Sequence, residues 1–226
     1  MFDLIDLGLV DYDEALNKQL ETLNEIHEKN LAGKIIFCSH PHTVTLGRKT
    51  QPDDVFNFNG RIFEVSRGGR ATYHGPSQLV VYPIINLNFS STNRPAKDIG
   101  KYLRLLEQVV VNTLNFFDVK AEGKFDKAKN LPSDADKSAA SNDTTLEDTG
   151  VWVGSKKIAS IGIAVKKWIT YHGIAINLDA DPEAFQGLNP CGYKSSVMIN
   201  LETLTNKPID RKHFQEILWS QFLKVM

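Results

Sequence analysis

GVWVGSKKIASIGIAVKKWITYHGIAINL (Gly150–Leu178) holds three strand patterns in succession, GVWVG, KIASIGIAV and ITYHGIAINL, with no helical pattern between them. Upstream lies RGGRATYHGPSQLVVYPIINL (Arg67–Leu87). Its second half, Gln78–Leu87, is apolar on both faces, as a central strand would be. Pro83 inside it argues for an irregularity or a sheet edge. Further strands fit Phe2–Gly8, the KIIFCSH segment after Gly33, His42–Arg48 and Arg61–Ser66. A helix capped by Asp11 or Asp13 runs to about Lys29, with Ala15, Leu16, Leu20, Leu23 and Ile26 as its apolar stripe. Two more fit Lys97–Phe117 and Asp210–Lys224. Strands and helices mix without a regular βαβ alternation. The fold class is therefore α+β, with a mixed or antiparallel sheet flanked by helices. TYHG occurs twice, at Thr72–Gly75 and Thr170–Gly173, but the flanks do not match and duplication is not implied.

The chain has 226 residues, 42% hydrophobic and 23% charged, which suits one domain with a sizeable core. A net charge of −1 leaves no nucleic-acid footprint. No apolar run approaches the roughly 18 residues of a membrane span. The acidic N-terminal stretch lacks the basic start of a secretory signal. Two cysteines, Cys38 and Cys191, fit no zinc spacing and suit reduced thiols in a cytoplasmic protein. Glu122–Thr149 is a stretch of 28 residues rich in Lys, Asp, Ser, Ala and Asn. That composition cannot offset its ordering entropy, so a flexible surface insertion is expected there.

Cys38 sits in an apolar strand and is expected to be inert. Cys191 sits between Pro190 and Gly192, in a turn where a ligand could approach, and is a candidate nucleophile. A thiol needs activation, and one cation about 4 Å away supplies up to about 4 kcal/mol at an effective dielectric of 20. Lys157 shares a strand face with Ala159, Ile161, Ile163 and Val165, which is costly unless it carries protons or has a partner. The alternative is that Lys157 snorkels to water. Lys156 points to the opposite face. His74 or His172 could instead serve as base in a Cys-His arrangement. CSHPH (Cys38–His42) is a weak metal pattern, because Pro41 breaks its alternation.

These residues resemble the lipoate–protein ligase B family, the octanoyl-[acyl-carrier-protein]:protein octanoyltransferases. The first segment is similar to the family's Arg-Gly-Gly-x-x-Thr-Tyr-His-Gly-Pro-Gly-Gln signature. HPHTVTLGR, the Lys-Ile-Ala…His-Gly-x-Ala-x-Asn block and NPCGYKSSVMINL match further blocks in order, over about residues 35 to 201. The resemblance implies the fold of the biotin and lipoate protein ligase catalytic domains, and no cofactor. It implies transfer of octanoate from octanoyl-acyl carrier protein to a lysine of lipoyl domains, in 2-oxoacid dehydrogenase complexes and the glycine cleavage H protein. It makes Cys191 the thioester carrier and Lys157 its acid/base partner. It assigns substrate contacts to Arg67, Gly68, Gly69, Arg70, Ala71, Thr72, Tyr73, His74, Ser160, Ile161, Gly162, Gly173, Ile174 and Ala175, with Tyr73 and His74 walling the pocket and His172 reaching it. An ATP-dependent ligase of the same fold and a non-catalytic carrier-binding module are the rival readings. Arg48, Lys49, Lys166 and Lys167 are basic groups suited to an acidic carrier. Ser77 departs from the family's usual Gly, so either a relaxed turn or a strained serine is expected there.

Overall fold

The computed structural model describes residues 2–124 and 149–226. The chain begins β1 (Asp3–Leu9), α1 (Tyr12–Glu28) and β2 (Gly33–Ser39), followed by β3 (Thr43–Leu46), β4 (Arg61–Glu64), β5 (Thr72–His74) and β6 (Gln78–Ile85). α2 (Ile99–Asn115) leads to β7 (Glu122–Gly123), β8 (Gly150–Val153), β9 (Lys156–Lys166) and β10 (Ile169–Asn177). Two helices close it: α3 (Leu201–Thr205) and α4 (Arg211–Val225). The main sheet has seven strands in the order β1-β2-β6-β10-β9-β8-β7, and a three-stranded sheet has the order β4-β3-β5. Both are mixed. β1 and β2 run parallel, joined through α1 as a βαβ unit, and β3 and β4 run parallel in the small sheet. The remaining pairs are antiparallel. The expected α+β class with a mixed sheet holds.

Strand alternation splits the core into two layers. Phe37, Leu79, Val81 and Ile176 pack against α2 and α4 through Leu106, Val110, Phe214 and Leu218. Ile36, Val80, Tyr82 and Ala175 point the other way, onto Ala15, Leu23 and Ile26 of α1. The buried face of α1 also includes Tyr12, Gln19 and Thr22, while Leu16 and Leu20 are only partly covered. Hydrophobic spacing misplaced this face because Gln19 has a polar duty: its Oε1 accepts the backbone N–H of His172 at 2.8 Å.

Pro83 is not at an edge. β6 lies between β2 and β10 and is buried along its whole length. The irregularity does exist. The β6–β10 register runs only from Asn177↔Gln78 to Ile174↔Val81, and His172 takes a positive φ of 57°. A proline offers no N–H to a neighbour. Its carbonyl instead accepts from the hydroxyls of Thr170 (2.7 Å) and Tyr102 (3.2 Å). Gly173 sits against this break, where a Cβ would run into the Val81 carbonyl oxygen and lie 2.6 Å from Pro83 Cδ.

The expected insertion falls mostly on residues 125–148, which lie outside the described residues. At its margins, Glu122–Gly123 pair with β8 and Thr149 is buried, so the ends of that stretch belong to the fold. Ser77 has no positive φ; its side chain donates to Asp181 Oδ2 at 3.0 Å, which is the relaxed-turn outcome.

Gly173→Ala is expected to destabilise the protein by about 1–3 kcal/mol, the usual cost of overpacking against fixed backbone. Urea unfolding checks this, and a change inside the fitting error would contradict the close approach.

Candidate active site

Arg67 and Arg70 do different work in the Arg-Gly-Gly-Arg loop. Arg67 folds back beneath it, and its guanidinium donates to the carbonyls of Gly68 (3.0 Å), Arg70 (2.9 Å) and Thr45 (2.8 Å) and to the Thr45 hydroxyl (2.7 Å). Arg70 reaches outward to the fully buried carboxylate of Asp54, with Nε 3.1 Å from Oδ2. Gly69 takes φ +81°, a region costly for a side chain. Gly47 lets the loop's carbonyl at Gly69 pass where a Cβ would collide with it.

Asp54 also holds the cysteine turn, through its main chain. Asp54 O accepts the amide of Asn189 at 2.7 Å, at the start of the Pro190–Gly192 turn. Within that turn Cys191 adopts φ 55°, uncommon for a side-chain-bearing residue and worth of order 1–3 kcal/mol of strain. The Cys191 amide donates to Ala71 O at 2.7 Å. Its Sγ lies 3.8 Å from Ser160 Oγ, and the residue is partly exposed and lines the cavity.

Lys157 does not snorkel. It is 1% exposed, lines the same cavity as Cys191, and lies with Nζ 5.3 Å from the ring centre of Trp152 and 5.9 Å from that of Tyr193. Gly150 opposite leaves room for its stem, since a Cβ there would come within 2.7 Å of Lys157 Cε. Lys156 behaves as the neighbour on the other face: it is exposed and donates to Ser196 O at 2.6 Å.

The cavity itself is narrow, about 40 Å³. Past Gly162 and Gly173 its far end is built from Tyr12, Tyr82, His74 and His172. Burial pushes His172 down to about 3, with the Arg67 charge adding to it, and pushes His74 well below the usual histidine range. Both stay neutral near pH 7, and a base that weak is a poor match for a thiol. The Cys-His alternative therefore loses its base, and the histidines remain as uncharged polar walls. Cys38 lies in the α1-side core, 3.5 Å from His40 Nε2, with its thiol pushed up by burial. That suits an inert thiol. Among the described residues no cluster of three or more His, Cys, Asp or Glu is placed to hold a metal ion.

Of the expected contacts, Arg67, Gly68, Gly69, Arg70, Thr72 and His74 line the cavity, as do Ser160, Ile161, Gly162, Gly173, Ile174 and Ala175. Ala71 and Tyr73 do not. Alternation along β5 sends them into a separate cluster with Val44 and Leu188, where Tyr73 OH lies 2.6 Å from His42 Nδ1. Sequence reasoning missed Tyr12, Tyr82, Thr149 and Asp54. The Asp-Asp pair after Pro52 was the only trace of the last.

A profile of the family described as the lipoyl protein ligase A/B catalytic domain matches residues 11–223. An octanoyltransferase of Bdellovibrio bacteriovorus is 46% identical over 228 residues, covering 100% of both chains. In structure, a bipartite lipoate protein ligase from Thermoplasma acidophilum is similar with a TM-score of 0.63 at 15% identity, over 99% of this chain and 83% of that one. A biotin protein ligase from Aquifex aeolicus gives 0.54 at 15% identity, over 99% and 70%. At such identities the structures speak to the fold alone.

Two outcomes follow from this geometry. Asp54→Ala removes the carboxylate that holds Arg70 and the Gln51 amide while leaving the main-chain bond to Asn189, and is expected to cost about 3 kcal/mol in chemical unfolding. His172 is held far below its unfolded value of about 6.5, so below that pH the unfolded chain binds a proton that the folded one refuses. Stability therefore falls as pH drops from about 6.5 towards 3 and is indifferent to His172 above that window. His172→Gln should flatten this slope by up to about 1.4 kcal/mol per pH unit; an unchanged slope would mean that the ring is protonated in the fold.

Proposed function

The chain belongs to the lipoyl protein ligase A/B catalytic family, on its lipoate–protein ligase B side, and from that premise we propose that it moves an octanoyl group from octanoyl-acyl carrier protein to a lysine of a lipoyl domain through a thioester on Cys191. The observation that carries the proposal is Lys157, wholly buried in the cavity into which Cys191 projects. The rings of Trp152 and Tyr193 offer the amine only long cation–π contacts, and burying it is costly. Beside a thiol it has a chemical reason to be there.

In the first half-reaction Lys157 takes the Cys191 proton. The sulfur attacks the carrier thioester, a new C–S bond forms, and the bond to the carrier's pantetheine sulfur breaks. That leaving sulfur takes the proton back from Lys157. In the second, the acceptor lysine amine attacks octanoyl-Cys191. The amide C–N bond forms, the C–S bond breaks, and Lys157 relays the amine's proton to the departing thiolate. The amides of Cys191, Gly192 and Gly68 are already bonded, to Ala71 O, Asn189 O and Ile163 O, so they are not available to a developing oxyanion. Ser160 Oγ and Lys157 Nζ are the donors at hand.

The acyl chain runs from Cys191 over Gly162 and Gly173 towards Tyr82. An octanoyl tail gains roughly 0.8 kcal/mol per buried methylene. A cavity of about 40 Å³ holds about three waters, so its walls must open to admit the chain. The donor carrier and the acceptor domains of 2-oxoacid dehydrogenase complexes and the glycine cleavage system follow from the same reading, as does a cytoplasmic setting. No helix among the described residues is long and apolar enough to cross a membrane.

In a transfer assay with octanoyl carrier protein and a lipoyl domain, Cys191→Ser and Lys157→Met should each lose at least about a hundredfold in rate, the lower range for a positioned acid/base. Cys38→Ser should stay near wild type. A fully active Lys157→Met enzyme would contradict the proposed dyad.

A further inference from the structure

A larger depression, about 630 Å³, lies on the outer side of the glycine loop. Ile99 and Leu103 of α2 and Ile163 and Val165 of β9 give it apolar walls, and Arg48 and Lys49 line it as well. It shares Gly68, Gly69, Thr149, Ile161 and Gly162 with the cavity of Cys191 and Lys157, so the two volumes adjoin. At the junction Thr149, 4% exposed, holds a buried hydroxyl with no hydrogen-bond partner among the described residues.

The floor of this groove is a strand edge. Pairing of β8 with β9 ends at Gly150↔Ser160, and beyond it β9 has no strand neighbour on that side among the described residues. The Ile163 carbonyl accepts the Gly68 amide at 3.1 Å. Alternate residues of a strand turn their peptide groups to the same edge, so Ile161 and Val165 face the groove as Ile163 does. From Ile161 to Val165 that edge spans about 13 Å at roughly 3.3 Å per residue. Arg48 and Lys49 are held to the loop walling the thiol: their amides donate to Arg67 O (3.2 Å) and Gly69 O (3.1 Å).

We propose, resting on the transferase reading above, that this groove receives the phosphopantetheine arm of the acyl donor. The arm's two amides pair along the β9 edge as an added strand would, at the peptide groups that the Gly68 bond to Ile163 O leaves open. Its thioester end reaches Cys191 past Thr149, and its phosphate meets Arg48, with Lys49 beside it. An aliphatic tail would use neither the peptide edge nor the cations, which is why the arm and not the octanoyl chain is assigned here.

The test compares octanoyl-phosphopantetheine with octanoyl-pantetheine, which differ only in the phosphate, and follows acylation of Cys191 by intact mass. Wild type should prefer the phosphorylated donor in kcat/KM by about tenfold, the worth of one charge-assisted hydrogen bond. Arg48→Ala should erase that preference, and the exposed control Lys156→Ala should keep it. Ile99→Trp, which narrows the groove, should slow acylation by both donors while leaving transfer from preformed octanoyl-enzyme to the lipoyl acceptor unchanged. A preference untouched by Arg48→Ala overturns the proposal. So does an Ile99→Trp enzyme that shifts acyl-length preference, which would put the tail in the groove, or one that slows only the transfer step, which would put the acceptor there. A wild-type chain that neither donor acylates overturns the transferase reading itself, and this proposal with it.

Discussion

The contacts of one buried residue, Asp54, tie the site together. The Asp54 carboxylate holds Arg70 in the glycine loop, while its own carbonyl holds Asn189 at the head of the cysteine turn. Three segments far apart in the chain thus meet at one residue. The loop in turn presents Ala71 O, which accepts the Cys191 amide and completes the circuit. With the cysteine backbone fixed in the left-handed region, its sulfur is aimed rather than free. A buried pair of this kind is weak evidence for net stability, but removing one partner is costly. Under the proposed reaction its value is geometric, since a reacting sulfur displaced by about 1 Å can lose a hundredfold in rate.

The twin TYHG tetrapeptides illustrate how the sheet shapes function. In the first copy, Thr72 and His74 face the cavity, and Gly75 makes room for the ring of Tyr73. In the second, the same letters fall beside Pro83. There Thr170 satisfies the proline carbonyl, His172 takes a positive φ, and Gly173 allows the backbones to touch. The break turns His172 towards Tyr12, 3.3 Å from its hydroxyl, and so closes the far end of the cavity. One motif serves a regular strand and the other an interruption, which accounts for their unmatched flanks without any duplication.

Much of this was legible in the residues. Periodicity of two and of 3.6 located the strands and the long helices, because both faces of the sheet are covered and each element must bury its apolar side. Cys191 and Lys157 stood out for opposite reasons, one as a thiol on a Pro-Gly turn, the other as a charge on an apolar strand face. Asp54 was not legible: an acid that caps Gln51 locally at 2.9 Å gives no sign of its partner Arg70, 16 residues away. Gln19 and Tyr12 were missed because an apolar stripe cannot flag polar groups buried for distant partners, here the backbone N–H and the ring of His172. Tyr73 was assigned to the cavity by its neighbour His74, although alternation along a strand puts the two on opposite sides.

The central claim is that the sulfur of Cys191 carries the acyl group within a cavity shared with the amine of Lys157. Peptide mapping by mass spectrometry, after incubation with octanoyl-acyl carrier protein alone, tests it most directly. The account predicts a hydroxylamine-labile octanoyl group on the peptide containing Cys191. An octanoyl group confined to the Cys38 peptide, or a chain that transfers octanoate without ever carrying it, would contradict it.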